Sequence, residues 1–181
     1  MNRSSTEPRR GGPDSLLRRL VRCERGQDVA EMAMVLPFLL VVVLGVVEFG
    51  TMFGAQHTLT SLGREGANIA ARGASLDTVT ALMLETGQEI GLATQGGVVS
   101  SLVQVIDGEP VVMEQVASEG HEGRSRLGAV ADTAVGLDRV RGDEGASFYV
   151  VELFYAHEEQ TPLRNLLGGG VPDTLYSRAI F

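Results

Sequence analysis

The chain has 181 residues and a formal net charge of −8, which leaves room for one modest domain and argues against a nucleic-acid surface, since that needs a basic face. A single cysteine, Cys23, excludes an intramolecular disulfide and reads as an ordinary thiol. All fifteen basic residues are arginine, a bias of codon composition rather than of mechanism.

The charge is unevenly spread. The first 25 residues hold seven Arg against Glu7, Asp14 and Glu24, and the chain from Glu65 onward is acidic. Residues 1–14, MNRSSTEPRRGGPD, lack apolar periodicity and are predicted to be disordered. SLLRRLVRCER, residues 15–25, has the composition of a short basic amphipathic turn or two, suited to an anionic membrane face.

Met32 to Val47 contains no charge, and after Glu48 the uncharged run resumes to Phe53. At ~1.5 Å per residue, Met32–Phe53 crosses a hydrocarbon core of ~30 Å as one helix. Glu48 is then expected near the outer end of the span, where a carboxylate reaches water, a headgroup or a neighbouring subunit. Arginines before the run and few after it predict a cytoplasmic amino terminus, with the rest outside. No A-x-A cleavage site follows the apolar core, so the segment is expected to stay in the mature chain. Pro37 interrupts the helical hydrogen bonding and predicts a local kink. Gly50 and Gly54 have the G-x-x-x-G spacing that lets helix backbones approach, a spacing also common by chance. Gly63, Gly66, Ala67 and Ala70 continue the supply of small residues. Phe49, Met52, Phe53, Leu59, Leu62 and Ile69 carry an apolar stripe that extends the helix to residue 72.

Gly73 ends the helix, and Ser75 or Asp77 caps the next. Val79, Leu82, Met83, Thr86 and Ile90 form the apolar face of an amphipathic segment that stops before Gly96-Gly97. Val98–Ile106 and Val111–Val116 read as a hairpin turned by Asp107-Gly108. Residues 118–145 are polar and glycine-punctuated, with an ordered piece near 127–135, and are expected to form a mobile excursion; Asp143-Glu144 reads as solubility. Ser147–Tyr155 is the strongest strand and is predicted to be central. Thr161-Pro162 opens a short helix stopped by Gly168–Gly170, and Thr174–Phe181 supplies a last strand.

His57, His121 and His157 have no metal-ligand spacing, and His157-Glu158-Glu159 reads as a solvated charge cluster rather than a metal site. No nucleophile elbow, phosphate loop or dinucleotide fingerprint occurs. The expectation is therefore no enzyme, no catalytic residue, no cofactor and no metal.

The stretch ERGQDVAEMAMVLPFLLVVVLGVVEFGTMFGAQHTLTSLGREGANIAARG, residues 24–73, resembles the TadE-like family of minor pseudopilins of tight-adherence (Tad/Flp) pili. The matching features are RG before an E at the fifth mature position, VLPFLL, VEFG, QHTLT and REGA followed by ARGA. Met32 departs from the pattern, which has an aromatic residue after the glutamate. The end of the chain matches only in general layout. The resemblance implies cleavage by a prepilin peptidase between Gly26 and Gln27, with Glu31 as counter-charge to the new amino terminus; on the residues alone, Glu31 is equally an interfacial acid at a helix start.

The expected architecture is α+β and pilin-like, a long N-terminal transmembrane and assembly helix followed by a small antiparallel sheet domain with one or two short helices. Residues 1–26 would be a cytoplasmic leader that is removed, 27–72 the extended helix and 73–181 a periplasmic domain. The resemblance implies an inner-membrane, single-pass component of pilus assembly. Its partners would be the peptidase, other pilins or pseudopilins, inner-membrane assembly proteins and membrane lipid, with no nucleic acid. The alternative is an unprocessed single-pass anchor displaying a periplasmic binding or scaffolding module.

Overall fold

The structure, a computed structural model, describes residues 24–137, 142–158 and 173–181. The expected leader, apart from the helical backbone of 24–26, and the expected helix at Thr161-Pro162 lie outside them.

Helix α1 runs Glu24–Ala71 and contains Pro37. The chain divides into two compact units, Met1–Val46 and Val47–Phe181. In the first, α1 is the described element, and its large side chains, among them Met34, Leu36, Phe38, Leu39 and Val46, are exposed. The helix is long and apolar enough to cross a membrane.

In the second unit, α1 ends as Gly73 takes a left-handed φ of 98°, a conformation that costs a residue with a Cβ more than it costs glycine. Helix α2, Leu76–Thr86, starts where Ser75 Oγ accepts the backbone N–H of Thr78, satisfying one of the donors that a helix start leaves unpaired. A 3₁₀ turn, Gly87–Ile90, and a short helix α3, Leu92–Gln95, follow. Four strands then build one antiparallel sheet: β1 Gly96–Ile106, β2 Glu109–Ala117, β3 Ser147–Ala156 and β4 Thr174–Ile180, in spatial order β2-β1-β3-β4. The strongest strand is thus interior, as its two apolar faces require. The β1–β2 hairpin turns on Asp107 (φ 53°) and Gly108 (φ 79°), the paired left-handed residues that suit the right-handed twist of a hairpin. Its two backbone N–H groups donate to the carboxylate of Glu144 at 3.0 and 3.2 Å. Glu144 therefore caps the turn, a correction to its reading as a solubilising acid.

Alternation along β3 separates two cores. Val151, Leu153 and Tyr155 join Leu59, Leu62, Ala67 and Ala70 of α1, Val79 and Met83 of α2, and Leu175 and Ala179 of β4. Small residues set the close helix–sheet approach: a Cβ on Gly63 would lie 3.1 Å from Leu153 Cδ1, and one on Gly66 2.9 Å from Met83 Sδ. Of the predicted stripe, Leu59 and Leu62 are buried and Met52 and Ile69 pack against this core, but Phe49 and Phe53 stay exposed. On the other sheet face Val150, Val103 and Val112 pack with Leu127, Ala134 and Leu137. The segment predicted to be a mobile excursion is therefore, over 118–137, a packed covering of the sheet. Backbone bonds Ala131 N to Val112 O, Val112 N to Asp132 O and Ala134 N to Pro110 O also tie it to β2. Polarity between its few apolar anchors hid this from the sequence.

Candidate functional site

At the start of α1, helical spacing puts Gln27 and Glu31 one turn apart on one face. Gln27 Nε2 donates to Glu31 Oε1 at 3.3 Å, and both side chains are exposed. The peptide bond between Gly26 and Gln27 belongs to the helical backbone. Pro37 sits within α1, and a Cβ added at Gly50 or Gly54 would meet nothing within 4 Å. These two glycines thus leave an open strip of helix surface.

Glu48 departs from expectation. It lies in the outer part of the apolar run, but its side chain is 1% exposed and accepts a hydrogen bond from His157 Nε2 at 3.2 Å. The partner sits just past the end of β3, 109 positions away in sequence. The carboxylate is thus met by its own chain rather than by water or a headgroup, which removes much of the cost of a charge in an apolar run. The same contact corrects the reading of His157 as part of a solvated cluster: its side chain is 5% exposed. His57 is exposed and His121 covers Gly97, where a Cβ would meet the imidazole, so the three histidines have separate surroundings. Among the described residues no group of His, Cys, Asp and Glu side chains could hold a metal ion.

Beside His157 is a groove of about 450 Å³. Thr51, Gly54 and Ala55 of α1 form one wall, Glu89, Ile90, Gly91 and Gln95 a second, and Tyr155, His157 and Glu158 the third. Tyr155 Oη donates to Gln95 Oε1 at 3.0 Å, and Gln95 Nε2 donates to Glu158 Oε2 at 2.7 Å. Burial, with the nearby Glu158 carboxylate, raises the Tyr155 pKa above its ordinary value.

The sequence reading passed over Glu152. It is wholly buried on the sheet face turned away from α1, and it accepts hydrogen bonds from Tyr176 Oη at 2.6 Å, Arg126 N at 3.0 Å and Ser125 Oγ. Arg126 places its guanidinium 4.0 Å from the Tyr176 ring centroid, a cation–π distance. Burial and the hydrogen bond to Glu152 push the Tyr176 pKa well up. The carboxylate thus pins the covering segment to β3 and β4. One acid at the centre of the apolar strand SFYVVELFY was the available signal, because a buried carboxylate must be satisfied inside the protein.

These features define a class: a small α+β unit whose first helix is long and apolar enough to act as a single-pass membrane anchor. Within that class, residues 26–68 match the family model described as TadE-like protein, so the TadE-like resemblance holds over the greater part of α1. No curated protein and no solved structure matches the chain.

Proposed function

We propose that the protein is a minor pseudopilin that takes part in assembling a Tad/Flp-type pilus. In this reading it has no enzymatic role. A prepilin peptidase cuts between Gly26 and Gln27 on the cytoplasmic side, α1 holds the product in the inner membrane, and the sheet unit lies in the periplasm. The observation that carries the reading is the TadE-like match over 26–68, with Gln27 and Glu31 one turn apart at the head of the apolar helix. Cleavage would put an ammonium on Gln27, and a carboxylate one turn along, on the same or an adjacent subunit, would balance it near lipid. The open faces of α1, from Val29 to Phe53, would contact lipid first and the apolar helices of other pilus subunits afterwards, with Glu48 already shielded by His157.

One observation favours an unprocessed anchor: the bond between Gly26 and Gln27 is inside helical backbone, which must unwind locally before a peptidase can engage it. Its place in the first turn of α1, where backbone donors lack helical partners, makes that unwinding easy. Intact mass of the membrane-extracted protein from cells with an active prepilin peptidase decides between the two. A start at Gln27 is expected; a start at Met1 sinks the pseudopilin reading. Gly26→Ala is expected to leave the full-length chain, and Glu31→Ala to insert normally yet fail in assembly, scored as piliation by electron microscopy of sheared cells. Normal piliation in both variants would refute the assigned roles.

A further inference from the structure

We propose that Asp107-Gly108 is a site of spontaneous isoaspartate formation and that the carboxylate of Glu144 holds it closed. The inference is independent of the pilus reading and concerns how long the sheet unit keeps its covalent structure.

The chemistry is set by the dipeptide. The backbone nitrogen of Gly108 can attack Asp107 Cγ: a carbon–nitrogen bond forms, the amide proton and the carboxyl hydroxyl leave as water, and a succinimide ring closes. Water then opens either ring carbonyl. One opening restores aspartate; the other leaves isoaspartate, in which the chain runs through the side chain and is longer by a methylene. Water lost is water regained, so the product has the mass of the starting chain. Glycine favours the attack because no Cβ crowds the incoming nitrogen. The sequence holds no other Asp-Gly and no Asn-Gly.

Asp107 and Gly108 form the exposed loop that follows the Ile106↔Glu109 pair, so burial does not protect them. What opposes the reaction is one side chain. The N–H of Gly108, the attacking group, donates to Glu144 Oε2 at 3.2 Å, and the N–H of Asp107 donates to Oε1 of the same carboxylate at 3.0 Å. These bonds hold the peptide planes on both sides of Asp107. For ring closure the Gly108 nitrogen must give up its bond, turn toward Asp107 Cγ and lose its proton. A hydrogen bond to a carboxylate is stronger than one to a neutral acceptor, and negative charge building on the nitrogen would face the charge already on Glu144.

The clamp is itself anchored. Gly145 N–H donates to Val105 O and Val105 N–H to Ala146 O, each at 2.9 Å, and Gln104 Nε2 donates to Gly145 O at 3.1 Å. The residues that follow Glu144 are thereby tied to the end of β1, which presents the carboxylate to the turn; an acceptor so placed loses less freedom on bonding than one on a loose chain. The clamp guards the hairpin register. Asp107 and Gly108 close the loop with φ of 53° and 79°, and a longer backbone there would break the match between turn and strand pairing.

The test ages the full-length protein in detergent, in neutral buffer at physiological temperature. Isoaspartate is quantified by labelling with a protein-isoaspartate methyltransferase and located by electron-transfer fragmentation. Wild type in urea gives the rate of the free dipeptide. Glu144→Ala is expected to form isoaspartate at Asp107 about tenfold faster than native wild type, a barrier lower by about 1.4 kcal/mol. Asp143→Ala, which removes a neighbouring exposed charge and leaves the clamp, should age like wild type. Hydrogen exchange of the β1–β2 ladder is followed alongside. Should Glu144→Ala lose that protection, Glu144→Gln, which keeps an acceptor oxygen without the charge, carries the comparison. Ageing faster than wild type with the ladder intact supports the clamp.

Three results overturn the proposal. Native wild type ageing as fast as in urea would mean that the turn is not held closed. Equal, slow rates in wild type and in the Glu144 variant with an intact ladder would mean that the hairpin alone protects the dipeptide. A slower rate in the Glu144 variant would make the carboxylate a base that assists ring closure rather than a guard against it.

Discussion

The two halves of α1 are both rich in apolar residues, yet they are built for different surroundings. Before Val47 the helix carries large side chains such as Met34, Phe38 and Leu39, all exposed. After it, the face toward the sheet is made of Leu59, Leu62, Gly63, Gly66, Ala67 and Ala70, all buried. Large side chains maximise contact with a fluid apolar solvent, whereas small ones let a rigid sheet approach the helix backbone, where each ångström of gap forfeits dispersion energy. Glycine and alanine between the buried leucines therefore mark where the helix meets its own fold.

The largest expected break in this comparison is Leu59→Ala against Leu39→Ala. The first opens a cavity in the core that α1 shares with α2 and the sheet and should cost the sheet unit about 2–5 kcal/mol; the second should leave that unit's stability unchanged. Chemical denaturation in detergent, followed by far-UV circular dichroism because the chain has no tryptophan, measures both.

Next is Glu152→Ala, which leaves the part-buried donors of Ser125, Arg126 and Tyr176 without their acceptor and should cost about 1–3 kcal/mol. Tyr176 adds a pH signature. Its folded pKa lies above the unfolded value, so the native state holds the phenolic proton after the unfolded chain has released it. Stability is then unaffected below about pH 10 and falls as pH rises above it. Alkaline denaturation curves should show that fall for the native protein and a shallower one for Tyr176→Phe; identical slopes would mean that the phenol does not contribute.

The smallest pair concerns glycine. Gly63→Val should destabilise the sheet unit by about 1–3 kcal/mol through overpacking against Leu153 and Ala179. Gly50→Ala, with open space around it, should strengthen α1 by up to about 1 kcal/mol. A loss at both positions would mean that Gly50 is already covered by a partner in the sample, which analytical ultracentrifugation would register.

Much of the fold could be read from local pattern. The capping Ser75, the left-handed Gly73, the Asp107-Gly108 turn and the alternation in SFYVVELFY each act over a few residues, so their consequences appear in a short window of sequence. The candidate site was legible in one part only: Gln27 and Glu31 fall on one helical face by spacing alone. Glu48 was visible as the lone acid of the apolar run, but its partner was not, because His157 enters only when β3 runs back along α1. Glu152 went unread for the same reason, its donors coming from residues 125, 126 and 176. The packing of 118–137 depends on Leu127, Ala134 and Leu137, too sparse to make a periodic signal.

The sequence by itself determined a long apolar helix, a four-stranded α+β unit and the TadE-like signature, because hydrophobic period, turn chemistry and motif spacing are short-range properties. Only the tertiary structure decided where the buried charges go. A carboxylate out of water needs donors within hydrogen-bond reach, and those donors are distant in the chain: for Glu48 they arrive when β3 returns beside α1, and for Glu152 when β4 and the covering segment meet on the other sheet face.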